Sequence, residues 1–232
     1  MAEIKVDAGK FECTDEYVCW IDIMGTKNSM TESFQKAANF ILKFHACITE
    51  VLMQNEDVKC YPLMDGVFLT ASKQDSMRQT IDKIFSEMAN LFIDETKNNH
   101  HFVIRGALAY GGIIHGETIN ESVCDALANK EDYKKSLLIG MAMIQAFNAE
   151  KEAPPFGVYI HESARKYKGL QGRFYAWKIL LQKNREILHK KVKAYFDWCN
   201  DYSEYLKMDS QKIVLYKKLV DEYFSQQNER RF

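Results

Sequence analysis

The sequence predicts an α+β fold: an antiparallel-rich sheet with long helices on one face, followed by a C-terminal helical extension. Three observations carry that prediction. Short runs of β-branched and aromatic residues alternate with stretches of helical periodicity in the order β-α-β-β-α-β-β-α-β-β. Asp-Gly and Gly-Gly doublets stand where consecutive strands must turn. Beyond Gln182 the strand runs cease and only amphipathic helical patterning continues. The chain therefore divides into a catalytic-sized domain over 1–182 and a helical extension over 183–232.

Each element has its own signal. Tyr17-Val-Cys-Trp-Ile-Asp-Ile23 is rich in β-formers, stops at Gly25 and reads as a buried strand. Ser29 and Glu32 have capping-box spacing, and Phe34, Ala37, Ala38, Ile41, Ile48 and Leu52 recur behind them at helical intervals. Residues 58–63 and 67–71 flank Met64-Asp65-Gly66, a hairpin with a turn-compatible tip. Met77, Ile81, Ile84, Phe85, Met88, Leu91 and Phe92 form one face of a second long helix. Residues 102–110 and 112–116 predict a strand pair joined near Gly111-Gly112. The polar, acidic stretch 117–136 predicts a loop or weak helix. A helix over 137–150 ends at Ala153-Pro154-Pro155, since proline cannot continue it. Residues 156–160 and 173–180 are the last strand candidates. In the extension, Ile187, Val192, Tyr195, Phe196 and Tyr202, then Ile213, Leu215, Leu219 and Tyr223, predict two amphipathic helices, the second capped by Asp209 or Ser210.

Composition narrows the function. An apolar share of 47% over 232 residues supports a sizeable core, and 12% aromatics with only three prolines and eleven glycines exclude disorder as the dominant state. Lysine and arginine total 31 against 32 acidic residues, which lacks the basic footprint of a nucleic-acid binder. The longest uncharged apolar stretch, Leu137 to Phe147, is about half of what a membrane span needs. The six cysteines are scattered without a CxxC pair, and the N-terminus has no apolar signal region. These features predict a cytoplasmic protein with reduced thiols, no membrane and no nucleic-acid partner.

Two carboxylates end otherwise apolar strands: Asp22 in Trp20-Ile-Asp-Ile-Met-Gly25, and Asp65 at the hairpin tip. Such a charge must be paired, exposed or bound to a cation. Singly, each fits a turn aspartate. Together, on neighbouring strands of a β-α-β-β unit, they suit Mg²⁺ held over a triphosphate, because Mg²⁺ takes few protein oxygens plus phosphate oxygens. Thr26-Lys-Asn-Ser29, ahead of a helix, offers backbone amides as a phosphate seat. Arg105 in Val103-Ile-Arg-Gly-Ala107 shares a strand face with small residues, and two readings stand side by side: a phosphate contact, or a core arginine paired to a glutamate.

These residues resemble a known family, the class III nucleotidyl cyclases, over about residues 15–180. Asp22-Ile-Met-Gly25 is similar to the family's first metal-binding strand. Lys59-Cys-Tyr-Pro-Leu-Met-Asp65-Gly66 resembles the hairpin with the second metal aspartate and a base-reading lysine six residues before it. Arg105-Gly-Ala-Leu-Ala-Tyr-Gly-Gly-Ile-Ile-His-Gly116 resembles the hairpin whose arginine touches the triphosphate. Leu138-Ile-Gly140 through Glu150 resembles the helix that carries the transition-state asparagine and arginine. The resemblance implies a ferredoxin-like core, two Mg²⁺ or Mn²⁺ ions per site held by Asp22, the Ile23 carbonyl and Asp65, and phosphates held by the Ile23, Met24 and Gly25 backbone with Arg105. It also implies a head-to-tail homodimer with nucleoside triphosphate sites at the interface.

The departures are specific. The asparagine position is Ile144, the arginine position Asn148, and the base-selecting acidic position Leu137. Gln145 or Asn148 can donate a hydrogen bond, and Lys178 or Arg173 can supply charge from elsewhere. Strand alternation sets Tyr61 beside Lys59, where a phenol narrows a base pocket. Missing purine determinants and small size make the chain similar to the stand-alone pyrimidine nucleotide cyclases of bacterial anti-phage (Pycsar) systems. The expected reaction is cyclisation of UTP, ahead of CTP, to a 3′,5′-cyclic nucleotide and pyrophosphate. The alternatives are an inactive cyclase-fold sensing or dimerisation module and a palm-type nucleotidyltransferase that makes oligonucleotides. The C-terminal helices are expected to lie outside the catalytic centre.

Overall fold

The computed structural model describes residues 4–26, 30, 33–168, 170, 172–175, 177, 182–206 and 208–229. Its strands are β1 (Thr14–Ile23), β2 (Lys59–Leu63), β3 (Gly66–Ala71), β4 (Ile104–His115), β5 (Leu138–Gly140), β6 (Val158–Ile160) and β7 (Phe174–Tyr175). Its helices are α1 (Phe34–Leu52), α2 (Gln74–Asp94), the short α3 (Asp125–Ala128) and α4 (Glu131–Lys135), α5 (Met141–Ala149), α6 (Glu162–Lys168), α7 (Gln182–Asp201), α8 (Ser203–Leu206) and α9 (Ser210–Glu229). One sheet runs β2-β3-β1-β4-β6-β7, with β5 added on β4. All its pairings are antiparallel except β4 with β6. This is the predicted α+β architecture.

The pleat of β1 sorts its side chains to two faces. Tyr17, Cys19, Ile21 and Ile23 meet Val67 and Leu69 of β3 and are covered by Phe44 and Ile48 of α1 and by Ile81, Ile84 and Phe85 of α2. Leu188, Val192 and Phe196 of α7 and Val220 and Tyr223 of α9 belong to the same apolar cluster. The extension thus shares the main core. On the other face Val18 and Trp20 pack with Tyr61, Phe68, Ala109 and Ile113, under Ala142 and Ala146 of α5. The long helices do lie on one face, while α5 crosses the opposite one.

Two local expectations are corrected. Residues 104–115 form one strand through Gly111 and Gly112, because β1 pairs with it from Thr14↔Ile113 to Ile23↔Ile104 and supplies ladder partners across the doublet. The predicted helix over 137–150 starts later. Residues 138–140 instead pair with the free edge of Ile113–His115, and Gly140 at φ +158° turns the chain into α5. A Cβ at Gly140 would stand 2.4 Å from the Gly112 carbonyl oxygen, so only glycine fits that approach. Of the strand expected over 173–180, Phe174–Tyr175 is observed, and residues 176 and 178–180 lie outside the described residues.

Caps follow the chemistry of orphan helix amides. Ser33 caps α1, its Oγ accepting from the Lys36 amide; Ser29 and Glu32 lie outside the described residues. Asp209 caps α9, its carboxylate accepting from the Gln211 amide at 2.9 Å.

Candidate active site

Register brings the carboxylates together. In the ladder Asp22 stands opposite Gly66 on one neighbouring strand and Arg105 on the other. Asp65 occupies the two-residue turn just before Gly66, with Met64 at φ +57° completing the bend. Asp22 is half-buried, and its carboxyl is pushed up to about 7, first by loss of hydration and then by the neighbouring charges of Asp65 and Glu150, against the pull of Arg105. Glu150, just past α5, is likewise raised by burial and by Asp65. Three carboxylates and one guanidinium thus crowd one strand end.

Arg105 is paired. Its Nε donates to the Glu150 carboxylate, both side chains being largely buried, and its guanidinium lies 5.8 Å from the centre of the Tyr216 ring of α9. The core ion-pair reading of Arg105 therefore describes this state of the protein. Ile23 keeps its carbonyl at the strand end, where it accepts from the Thr26 hydroxyl at 2.9 Å. Gly25 takes φ +79°, and a Cβ there would meet nothing within 4 Å, so this turn faces open space. The Lys27–Ser29 part of the expected phosphate seat, and Lys178, lie outside the described residues.

A cavity of about 390 Å³ opens at this point. Asp22, Met24, Gly25 and Arg105 line one side; Lys36 and Phe40 of α1 and His101 line another. Burial holds His101 below its ordinary pKa, so it adds little positive charge to that wall. The remaining wall is the C-terminal extension, including Phe196, Lys212 and Tyr216. The sequence places these helices outside the centre; the structure puts them against it. Sequence patterning had no means of finding Lys36, Lys212 or Tyr216, because each sits on an ordinary amphipathic helix and only tertiary packing turns it toward Asp22.

The residues expected to line the base pocket do not gather: Tyr61 lies in a separate groove and Lys59 outside it. Tyr61, Leu137 and Ile144 line an apolar groove of about 420 Å³ with Leu63, Phe68 and Phe147. Tyr61 is buried, and its hydroxyl is hydrogen-bonded to Nδ1 of His115, whose Nε2 lies 3.0 Å from Glu16. Lys59 does not line the groove; its ammonium is bonded to Glu117. Asn148 is exposed on α5. Arg173 lies against Glu152 at 3.3 Å and over the Phe174 ring, and it lines neither cavity.

No protein-family model matches the chain, and no curated protein matches it. Solved structures do match in fold. One structure of a bacterial light-regulated adenylyl cyclase superposes with TM-score 0.54 at 14% identity, over 79% of this chain and 99% of that one. In another such structure the match takes in 80% of this chain and 59% of the other, with TM-score 0.53. An adenylate/guanylate cyclase/hydrolase from Silicibacter pomeroyi matches with TM-score 0.53 at 13% identity, over 73% and 92% of the two chains. The guanylate cyclase domain of RhGC from Catenaria anguillulae, solved in complex with GTP, gives 0.50 at 12% identity, over 67% and 82%. The chain has the class III cyclase fold. Among the described residues no helix is long and apolar enough to cross a membrane.

Proposed function

We propose that the chain is a metal-dependent nucleotidyl cyclase that converts a pyrimidine nucleoside triphosphate, UTP before CTP, into a 3′,5′-cyclic nucleotide and pyrophosphate. The observation that carries this reading is the strand-end pair Asp22 and Asp65 beside Arg105, on a fold shared with adenylyl and guanylyl cyclase domains. Two crowded carboxylates, of which Asp22 is raised by burial and by its neighbours, plus the Ile23 carbonyl, suit a hard divalent cation. Among the described residues no group of three or more His, Cys, Asp or Glu side chains forms a metal cage, so phosphate oxygens and water would complete the coordination. Two Mg²⁺ or Mn²⁺ ions, when bound, would favour ionisation of the ribose 3′-hydroxyl and neutralise the departing pyrophosphate.

The protein's part is positioning. Asp22, Ile23 and Asp65 would fix the ions, and the Met24–Gly25 turn would present backbone to the phosphates. Arg105 would exchange Glu150 for a phosphate oxygen, since a guanidinium binds either anion in a planar fork. The 3′-oxygen then bonds to the α-phosphorus in line with the leaving oxygen, the bond from the α-phosphorus to the β,γ-pyrophosphate breaks, and the 3′ proton passes to solvent.

The base groove lies apart from the Asp22 cavity, with no lining residue in common. A head-to-tail homodimer would join them, one protomer giving the carboxylates and its partner the groove. Leu63, Ile144 and Phe147 line that groove yet are 47–52% exposed, as a surface awaiting a second copy should be. For a base bound in that groove, Tyr61 would stand where the second ring of a purine must go. As a soluble second-messenger synthase of this kind, the protein would serve anti-phage defence in the bacterial cytoplasm.

The competing reading, a non-catalytic nucleotide-sensing module, is favoured by Ile144 and Asn148, both exposed and neither reproducing the family's transition-state pair. Mn²⁺-dependent pyrophosphate release with each of the four nucleoside triphosphates separates the two. Release is expected, fastest with UTP, and Asp22→Ala or Asp65→Ala should reduce it by about 10³-fold. No release with any nucleotide would leave the sensing module.

A further inference from the structure

We propose that helix α9 is part of the substrate site, with Lys212 binding the polyphosphate of the nucleotide and Tyr216 positioning Arg105. Lys212 and Tyr216 are four residues apart, so they rise from one face of α9, and both line the cavity that opens on Asp22 and Arg105. Tyr216 lies under the Arg105 guanidinium, and Lys212 stands one turn nearer the start of the helix. Lys36 of α1 lines the same cavity, its ammonium 5.9 Å from the Phe40 ring. Neither lysine has a carboxylate partner among the described residues, whereas Lys59, Lys73, Lys193 and Lys217 each do.

Two carboxylates line this space, Asp22 and Asp209, and Glu150 adjoins it through Arg105. Asp209 accepts from the Gln211 amide, Glu150 holds Arg105, and Asp22 is a candidate cation ligand. The cations left to meet an anion are Lys36 and Lys212, joined by Arg105 once it releases Glu150. Three cations on the walls of one cavity, beside a candidate cation-binding carboxylate pair, fit a polyphosphate chain, which carries both free oxygens for the protein and oxygens for the ions. The extension is held in place by the main core, so this wall is fixed. The inference rests on the cyclase reading for the nature of the substrate, but not for the anion.

The test uses the full chain and inorganic tripolyphosphate with Mn²⁺, measured by titration calorimetry, alongside steady-state kinetics with UTP. Lys212→Ala should weaken tripolyphosphate binding by about tenfold and raise KM by a similar factor with a smaller change in kcat. Lys212→Arg should restore both. Lys218→Ala, removing an exposed lysine of α9 that pairs with Glu222, should change neither. Melting temperatures should be unchanged, since Lys212 is exposed. Tyr216→Ala should lower affinity only while Arg105 is present, adding nothing to Arg105→Lys. Wild-type protein that binds no tripolyphosphate, or equal affinity in Lys212→Ala, or equal loss in Lys218→Ala, would overturn the proposal. Lys212-dependent tripolyphosphate binding without any cyclised nucleotide would support it and remove the cyclase reading.

Discussion

Asp22 and Arg105 were both conspicuous in the sequence, for the same reason: a charge inside an apolar strand has to be accounted for. Their mutual placement was not. It follows from the antiparallel register of β1 and β4, which sets Asp22 opposite Arg105, and from the packing that folds Glu150 back onto the guanidinium. Because that ion pair is largely buried, removing one partner strands the other. Arg105→Ala alone should cost about 3–5 kcal/mol of stability, while Arg105→Ala combined with Glu150→Gln should recover most of it. Chemical denaturation of the four members of this cycle measures the coupling. Additive losses would show that the two side chains act independently. Alternation sets Tyr61 on one face of its strand, and the structure turns that face into an apolar groove; its bond to His115 has no sequence signal, since His115 comes from another strand.

Among the elements, the long helices and the hairpin were legible because their apolar periods are long and their turns carry Asp-Gly. The errors fell where an edge was available. Residues 138–140 have helical spacing, but the free edge of β4 offers three residues of ladder, and Gly140 supplies the backbone geometry needed to change direction. The double glycine at 111–112 looked like a turn, yet a full-length partner in β1 keeps it extended. The C-terminal helices were recognised as amphipathic, but their apolar faces gave no address. The structure supplies one: Val192, Phe196 and Val220 are 0–2% exposed within the core of the sheet. Phe196→Ala should therefore cost about 3–5 kcal/mol, as for other buried aromatics. Truncation after Gln182 should abolish cooperative thermal unfolding. A truncated chain that still melts sharply would show that the sheet and its two long helices suffice.

For the whole molecule, the two cavities bear on the proposed homodimer. The Asp22 cavity and the Tyr61 groove share no residue, and the groove displays Ile144 and Phe147 to solvent. The proposed homodimer would bury those side chains in a second copy and bring the two cavities together. Phe147→Glu should shift the protein toward monomer in sedimentation velocity and reduce turnover in parallel, because a charge placed in an apolar interface stays unpaired. A monomeric variant with full turnover would place the whole site within one chain.

The proposed role of the strand-end carboxylates in nucleotide cyclisation is tested by the products themselves. Purified full-length protein given an equal mixture of ATP, GTP, CTP and UTP with Mn²⁺ should yield, by mass spectrometry, 3′,5′-cyclic mononucleotides dominated by cyclic UMP, with pyrophosphate in equal amount. Asp22→Ala should yield none above background. Linear or cyclic oligonucleotides, or an unchanged mixture from the wild-type protein, would rule out cyclisation at this site.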